Sequence, residues 1–240
     1  MLALLLLAGL AGAAWAQGKR DILWNIVSNC LARDAAAHAR DCPSPRQTVP
    51  LAEKAFANVA EATRYCRGGS EVWGEVADRF VAFRDIKMCA CPDNRDFIHG
   101  LAIPYTKVPG VDGPNRPDGI WAFAWQVASE KIGAASRGTI ALAVNSAALR
   151  SQDQLHVHIL RLREDYLRRI EAHPEHVLRT VRLKDLERVW HEVPLPADAV
   201  PRFHDFGVLV TSDGADGYIL RVIRPEISPE DEYTVWQCPR

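Results

Sequence analysis

From Ala141 to Leu160 the chain reads ALAVNSAALRSQDQLHVHIL, two apolar runs around a polar loop, and the second run alternates strictly. Leu155, Val157 and Ile159 fall on one face of a predicted strand, and Gln154, His156 and His158 on the other. Alternate residues of a strand lie about 6.7 Å apart along the backbone, so the two imidazoles project together. Short apolar runs predict further strands at Phe80–Phe83, Phe97–Ile103 and Thr139–Val144. Phe206–Thr211 and Tyr218–Ile223 read as a hairpin closing across Ser212–Gly217. That acidic, glycine-rich loop lacks the twelfth-position Glu of a calcium-binding loop and reads as an ordinary turn. Apolar residues at helical spacing mark Asp21–Leu31, Leu51–Tyr65, Ile120–Ile132 and Glu164–Ala172 as helices. Cys66–Gly74 reads as a turn, and Pro109–Asp118 as a loop rich in Pro and Gly. Short strands with helices between them predict an α+β fold around an antiparallel sheet.

The N-terminus adds a compartment to this picture. Leu2–Ala16 is almost wholly apolar and ends in Ala14-Trp15-Ala16, the small-x-small pattern of a signal-peptidase site before Gln17. The stretch is short of the roughly 20 residues that span a bilayer, and no Lys or Arg precedes Lys19. The expectation is export, with the leader cleaved or kept as a weak anchor, and a single domain over residues 17–240. Six cysteines (Cys30, Cys42, Cys66, Cys89, Cys91 and Cys238) fit an oxidising compartment and disulfides, whose pairing stays open. Cys89-Ala90-Cys91 stands alone and so does not suggest a zinc site.

Charge excludes one class of partner. With 29 basic and 30 acidic residues the net charge is −1, and no global field recruits nucleic acid. Basic residues do gather locally in Arg161, Arg163, Arg168, Arg169, Arg179, Arg182 and Lys184. The plain reading is a solvated helix face, and the functional alternative is a surface for the phosphates of a membrane.

Imidazole changes charge near neutral pH, so paired histidines on a rigid strand suit phosphoryl or metal chemistry. The pattern alone equally fits two half-exposed histidines on an ordinary strand. A zinc site is the rival enzyme reading, with His156 and His158 joined by His99, Asp153 or the His173–His176 pair, but no third ligand stands at a telling spacing.

Several segments together carry a family resemblance. They are Ala143-Val-Asn145-Ser, Arg150-Ser-Gln-Asp-Gln-Leu-His156-Val-His158-Ile, Gly100-Leu-Ala-Ile-Pro104, Val108–Pro114, Ile120–Gln126, and the closing Trp236-Gln-Cys238. In order and spacing they resemble the bacterial CDP-diacylglycerol pyrophosphatases, a branch of the histidine-triad-like superfamily. The likeness covers most of the chain from Phe80 onward, and residues 42–74 look like an insertion. The general triad pattern is His-φ-His-φ-His, and this chain departs from it at the first position, which is Gln154. An amide exchanges hydrogen bonds but shuttles no proton.

The resemblance implies a histidine-triad-like fold and a reaction without a cofactor. It also implies that His156 attacks the cytidyl phosphate of CDP-diacylglycerol and that water then releases CMP. Arg150, Ser151, Gln152, Gln154 and His158 would contact the phosphates, and Asn145 would position the neighbouring segment. The implied partner is a nucleotide-lipid at a membrane surface, in the periplasm or on the periplasmic face of the inner membrane. Trp121, Phe123 and Trp125 are candidates to line a lipid groove, although aromatic residues at that spacing are more often core. The rival from another class is a periplasmic nucleotide- or lipid-binding protein without turnover.

Overall fold

A computed structural model describes residues 20–31, 72–85, 88, 97–193 and 205–237. The leader, the helix expected over 51–65 and the six cysteine side chains lie outside the described residues.

An eight-stranded antiparallel sheet runs through the molecule in the order β1-β2-β3-β5-β4-β7-β8-β6. Its strands are β1 (Val72–Val76), β2 (Phe80–Arg84), β3 (His99–Pro104), β4 (Ile140–Val144), β5 (Val157–Arg161), β6 (Val177–Leu183), β7 (Gly207–Ser212) and β8 (Tyr218–Ile223). The short N-terminal helix α1 (Ile22–Asn25) continues as a π-helix over Ile26–Leu31. Helix α2 (Ile120–Ile132) matches its predicted limits. Three shorter helices follow: α3 (Tyr166–Ala172), α4 (Val189–Glu192) and α5 (Pro229–Tyr233). The fold is α+β, as the periodicity predicts.

Two expectations change. The expected turn at Cys66–Gly74 ends inside β1, whose Trp73 is buried. The basic run is not one helix face, since Arg179 and Arg182 belong to β6, an edge strand. An edge strand pairs on one side only, and β6 is half exposed along most of its length, so it shows no clean apolar alternation.

The sheet separates two unlike faces. On one, Val157 and Ile159 of β5, Ala102 of β3, Leu142 of β4 and Val208 and Val210 of β7 pack beneath α2 in the main core. Trp121, Phe123 and Trp125 belong to this core, so they line no lipid groove on the histidine side. Gly100 is required here, because the Trp73 ring lies where its Cβ would be. Each large apolar side chain buried this way contributes about 1.5–3 kcal/mol.

The opposite face is covered in two pieces. Leu23, Ile26 and Val27 of the N-terminal helix cover Val81, Phe83, Leu101 and Ile103. Tyr233 of α5, with Tyr166 and Ile170 of α3, covers Ala141, Ala143, Leu160, Leu209 and Ile223. The histidines lie on this face, between the two covers.

Candidate active site

A cavity of about 330 Å³ opens between those covers, lined by Leu23, Asp85, Leu101, Asn145, Leu149, Ser151, Gln152, His156, His158, Ser228, Glu230, Asp231 and Trp236. Its floor is the strand end predicted to carry the chemistry. The Leu155–Ile159 alternation buries Leu155, Val157 and Ile159 under α2, which turns His156 and His158 the other way. Their rings meet edge to face with centroids 4.8 Å apart. On the paired strands His158 lies opposite Leu101 and Ala143, and the small alanine leaves room above it.

His156 is 7% exposed, and its Nδ1 lies 2.7 Å from the carbonyl oxygen of Gln154. A carbonyl only accepts, so Nδ1 carries the proton, and the lone pair of the neutral ring sits on Nε2.

His158 Nδ1 lies 3.0 Å from His99 Nε2, and His99 Nδ1 lies 3.1 Å from the carbonyl of Trp236. His158 Nε2 approaches Glu230 Oε2 at 3.5 Å, and His99 Nε2 approaches Glu230 Oε1 at 3.5 Å. His99 is fully buried and Glu230 nearly so. The alternation placed His99 on a strand; its contact with His158 depends on the β3–β5 register.

Local structure explains how Glu230 arrives. Ser228 caps α5 by accepting from the Asp231 amide at 3.1 Å, with Pro229 at the first helical position. The same Ser228 hydroxyl donates to Asn145 Oδ1 at 3.0 Å, while Asn145 Nδ2 donates to Glu230 Oε2 at 2.8 Å. Beyond the helix, Val235 N donates to Arg161 O and Arg163 N to Tyr233 O, which lays the chain along the end of β5 and brings Trp236 to His99. The sequence reading missed Glu230. Its only local signal is the Ser-Pro-x-Asp helix start.

The remaining sequence candidates divide. Asn145, Ser151 and Gln152 line the cavity, with Gln152 Oε1 accepting from Leu23 N at 3.1 Å. Arg150 and Gln154 do not line it. The Arg150 guanidinium pairs with Asp112, and its Nε lies 3.5 Å from Asp153, in a largely buried position against the tight turn at Gly110, where φ is +66°. Gln154 is 1% exposed: Oε1 accepts from Val108 N at 3.1 Å, and Nε2 donates to the carbonyls of Pro104 and Thr106. The structure therefore gives both side chains loop-fastening contacts where phosphate contacts were expected.

An ion pair ties the start of the N-terminal helix to the loop before β5. Arg20 donates to Asp153 from Nε at 2.9 Å and from a terminal nitrogen at 2.6 Å, and Asp153 N donates to Arg20 O at 2.9 Å. The guanidinium hydrogen bond holds the Asp153 carboxyl below its usual range, and Asp153 in turn raises Arg20.

Among the described residues two groups of donor atoms are compact enough for a cation, His99–His158–Glu230 and the largely exposed His173–Glu175–His176. In the first, the ring contact at 3.0 Å has the length of a hydrogen bond and occupies His99 Nε2. The two rings serve each other there, and Glu230 stands 3.5 Å from each of them. Asp153 is engaged by Arg20 and Arg150, and so does not complete the zinc set considered from the sequence.

The family model of CDP-diacylglycerol pyrophosphatase matches residues 79–195, just under half of the chain, and this segment is similar to that family. It is a family of hydrolases. The matched segment carries His99, His156 and His158 but stops before Glu230 and Trp236. A search of curated proteins found no match.

Proposed function

We propose that the protein hydrolyses the pyrophosphate of CDP-diacylglycerol to CMP and phosphatidate through a nucleotidyl group carried on His156, on a fold of the histidine-triad-like kind. The observation that carries this reading is the Gln154 carbonyl on His156 Nδ1, which presents Nε2 as a nucleophile beside the cavity. Attack by Nε2 on the cytidyl phosphorus forms the P–N bond and breaks the bridging P–O bond, whose electron pair leaves with phosphatidate. Water then attacks phosphorus, and the pair of the P–N bond returns to Nε2. Two steps with a good intermediate leaving group replace one difficult displacement.

Among the described residues no Lys or Arg lines the cavity, so neutral donors, Ser151 and Gln152, face the phosphates. Donors fixed before the reaction need no reorganisation as charge builds. Leu23, Leu101 and the half-exposed Leu149 offer the apolar side on which the glycerolipid rests. An exported protein at the periplasmic membrane surface suits this substrate, and only three residues separate the apolar leader from Arg20, whose partner Asp153 follows the cavity-lining Gln152.

The test is incubation with CDP-diacylglycerol in mixed micelles and chromatography for CMP. The parent chain releases CMP. His156→Ala lowers turnover about 10³-fold or more, in the range for losing a covalent nucleophile. Full turnover by that variant rules out the assignment.

A further inference from the structure

The chain of contacts behind the nucleophile holds more protons than two neutral rings supply. The Trp236 carbonyl fixes one proton on His99 Nδ1. The contact between His99 Nε2 and His158 Nδ1, 3.0 Å long, needs one more. At the far end His158 Nε2 faces a carboxylate oxygen of Glu230 at 3.5 Å. Two lone pairs do not face each other stably in a buried site, so a third proton belongs there. Two neutral imidazoles carry two ring protons between them. The surplus proton and the negative charge of Glu230 offset one another, whether the proton is written on a ring or on the carboxyl.

We propose that His158 and Glu230, backed by His99, form a proton store for the reaction, with Glu230 holding the proton that the hydrolytic water gives up. The proposal rests on the His156 reading above. His158 and Glu230 both line the cavity, and the His158 ring lies against that of His156.

The steps balance as follows. As the bridging P–O bond breaks, phosphatidate leaves with the electron pair and takes the stored proton. When water forms its bond to phosphorus, the P–N pair returns to His156 Nε2 and the proton of the water refills the store. One carboxylate–imidazole pair thus serves as acid and then as base, and ends as it began.

The two steps depend on it unequally. A phosphomonoester oxygen leaves readily as an anion, whereas water, a very weak acid, attacks poorly until a base takes its proton. In Glu230→Gln the amide donates to His158 Nε2 and occupies the lone pair that would accept that proton. Adduct formation should survive, and adduct hydrolysis should fail.

The experiment mixes the full chain with CDP-diacylglycerol micelles and follows the cytidylyl adduct by intact-protein mass spectrometry alongside free CMP. In Glu230→Gln the adduct is expected to form at close to the parent rate and to decay about 10²-fold more slowly or worse. It should then accumulate to one equivalent. Adduct formation itself shows that the variant is folded. Hydroxylamine, which attacks without prior deprotonation, is expected to discharge the accumulated adduct. Parent-like decay in Glu230→Gln overturns the proton store and leaves the nucleophile standing. So does an equal loss of formation and decay, which is the mark of a purely structural role. Full turnover by His156→Ala overturns the underlying reading as well. Stoichiometric zinc on the parent chain that is lost from Glu230→Gln overturns the store in favour of a metal site.

Discussion

An amide stands at position 154, where the triad pattern has an imidazole, and its work is visible in its contacts. Both amide hydrogens and the oxygen are spent on the backbone of residues 104–108, so the side chain fastens the loop beside the cavity while its own carbonyl sets the tautomer of His156. Restoring the pattern is therefore expected to harm the protein. Gln154→His leaves the Val108 amide and the carbonyls of Pro104 and Thr106 short of a partner, at a cost of about 1–3 kcal/mol. Its thermal midpoint falls and its kcat does not rise; a kcat above that of the parent shows that residue 154 reaches the phosphate. Sequence spacing placed Gln154 on the histidine face, whereas its side chain lies in the neighbouring loop and not in the cavity. Rotation of its side chain into the loop depends on three backbone groups some 50 residues away, and no local rule encodes that.

At the scale of elements, the site is a gap between two short covers, each fastened by few bonds. The N-terminal helix is fastened through Arg20 to Asp153 and through Leu23 N to Gln152. Because the folded state holds the Asp153 carboxyl below its ordinary value of about 3.9, this contribution is complete above that value. It is lost as pH falls through the lowered folded-state value. Amide exchange at Leu23 and Asp153 is thus expected to quicken as pH falls below about 3.9, after correction for the intrinsic rate. Asp153→Asn shows no such acid limb and has a less protected helix already at neutral pH. A variant with unchanged protection shows that the ion pair does not hold the cover. On the other side, Gly207 lets Pro229 approach so closely that a Cβ there would lie 2.9 Å from the ring. That close approach seats α5, and Glu230 with it.

At the scale of the whole molecule, residues from five separate stretches meet in one cavity: Leu23, Asp85, Leu101, the 145–158 segment and the 228–236 segment. The family match ends at residue 195, so Glu230 and Trp236, which complete the surroundings of His158 and His99, lie beyond the matched segment. If the groups on the chain carry the reaction unaided, prolonged dialysis against EDTA is expected to leave CMP release unchanged within twofold. Loss of activity that zinc restores would instead revive the metal reading. Among the described residues no helix is long and apolar enough to cross a membrane.

Local periodicity alone determined the strand with its paired histidines, the limits of α2, the closing hairpin and the α+β class, because side-chain alternation and helical spacing are read over a few residues. It also determined which face of β5 would carry the imidazoles. Only the tertiary structure decided that His99 meets His158, that Arg150 and Gln154 turn away from the cavity, and that a carboxylate from residue 230 completes the cluster. Those outcomes depend on strand register and on where two short helices dock, which are long-range consequences of burying the sheet. Hydrogen-bond partners so distant in sequence leave no periodic trace in it.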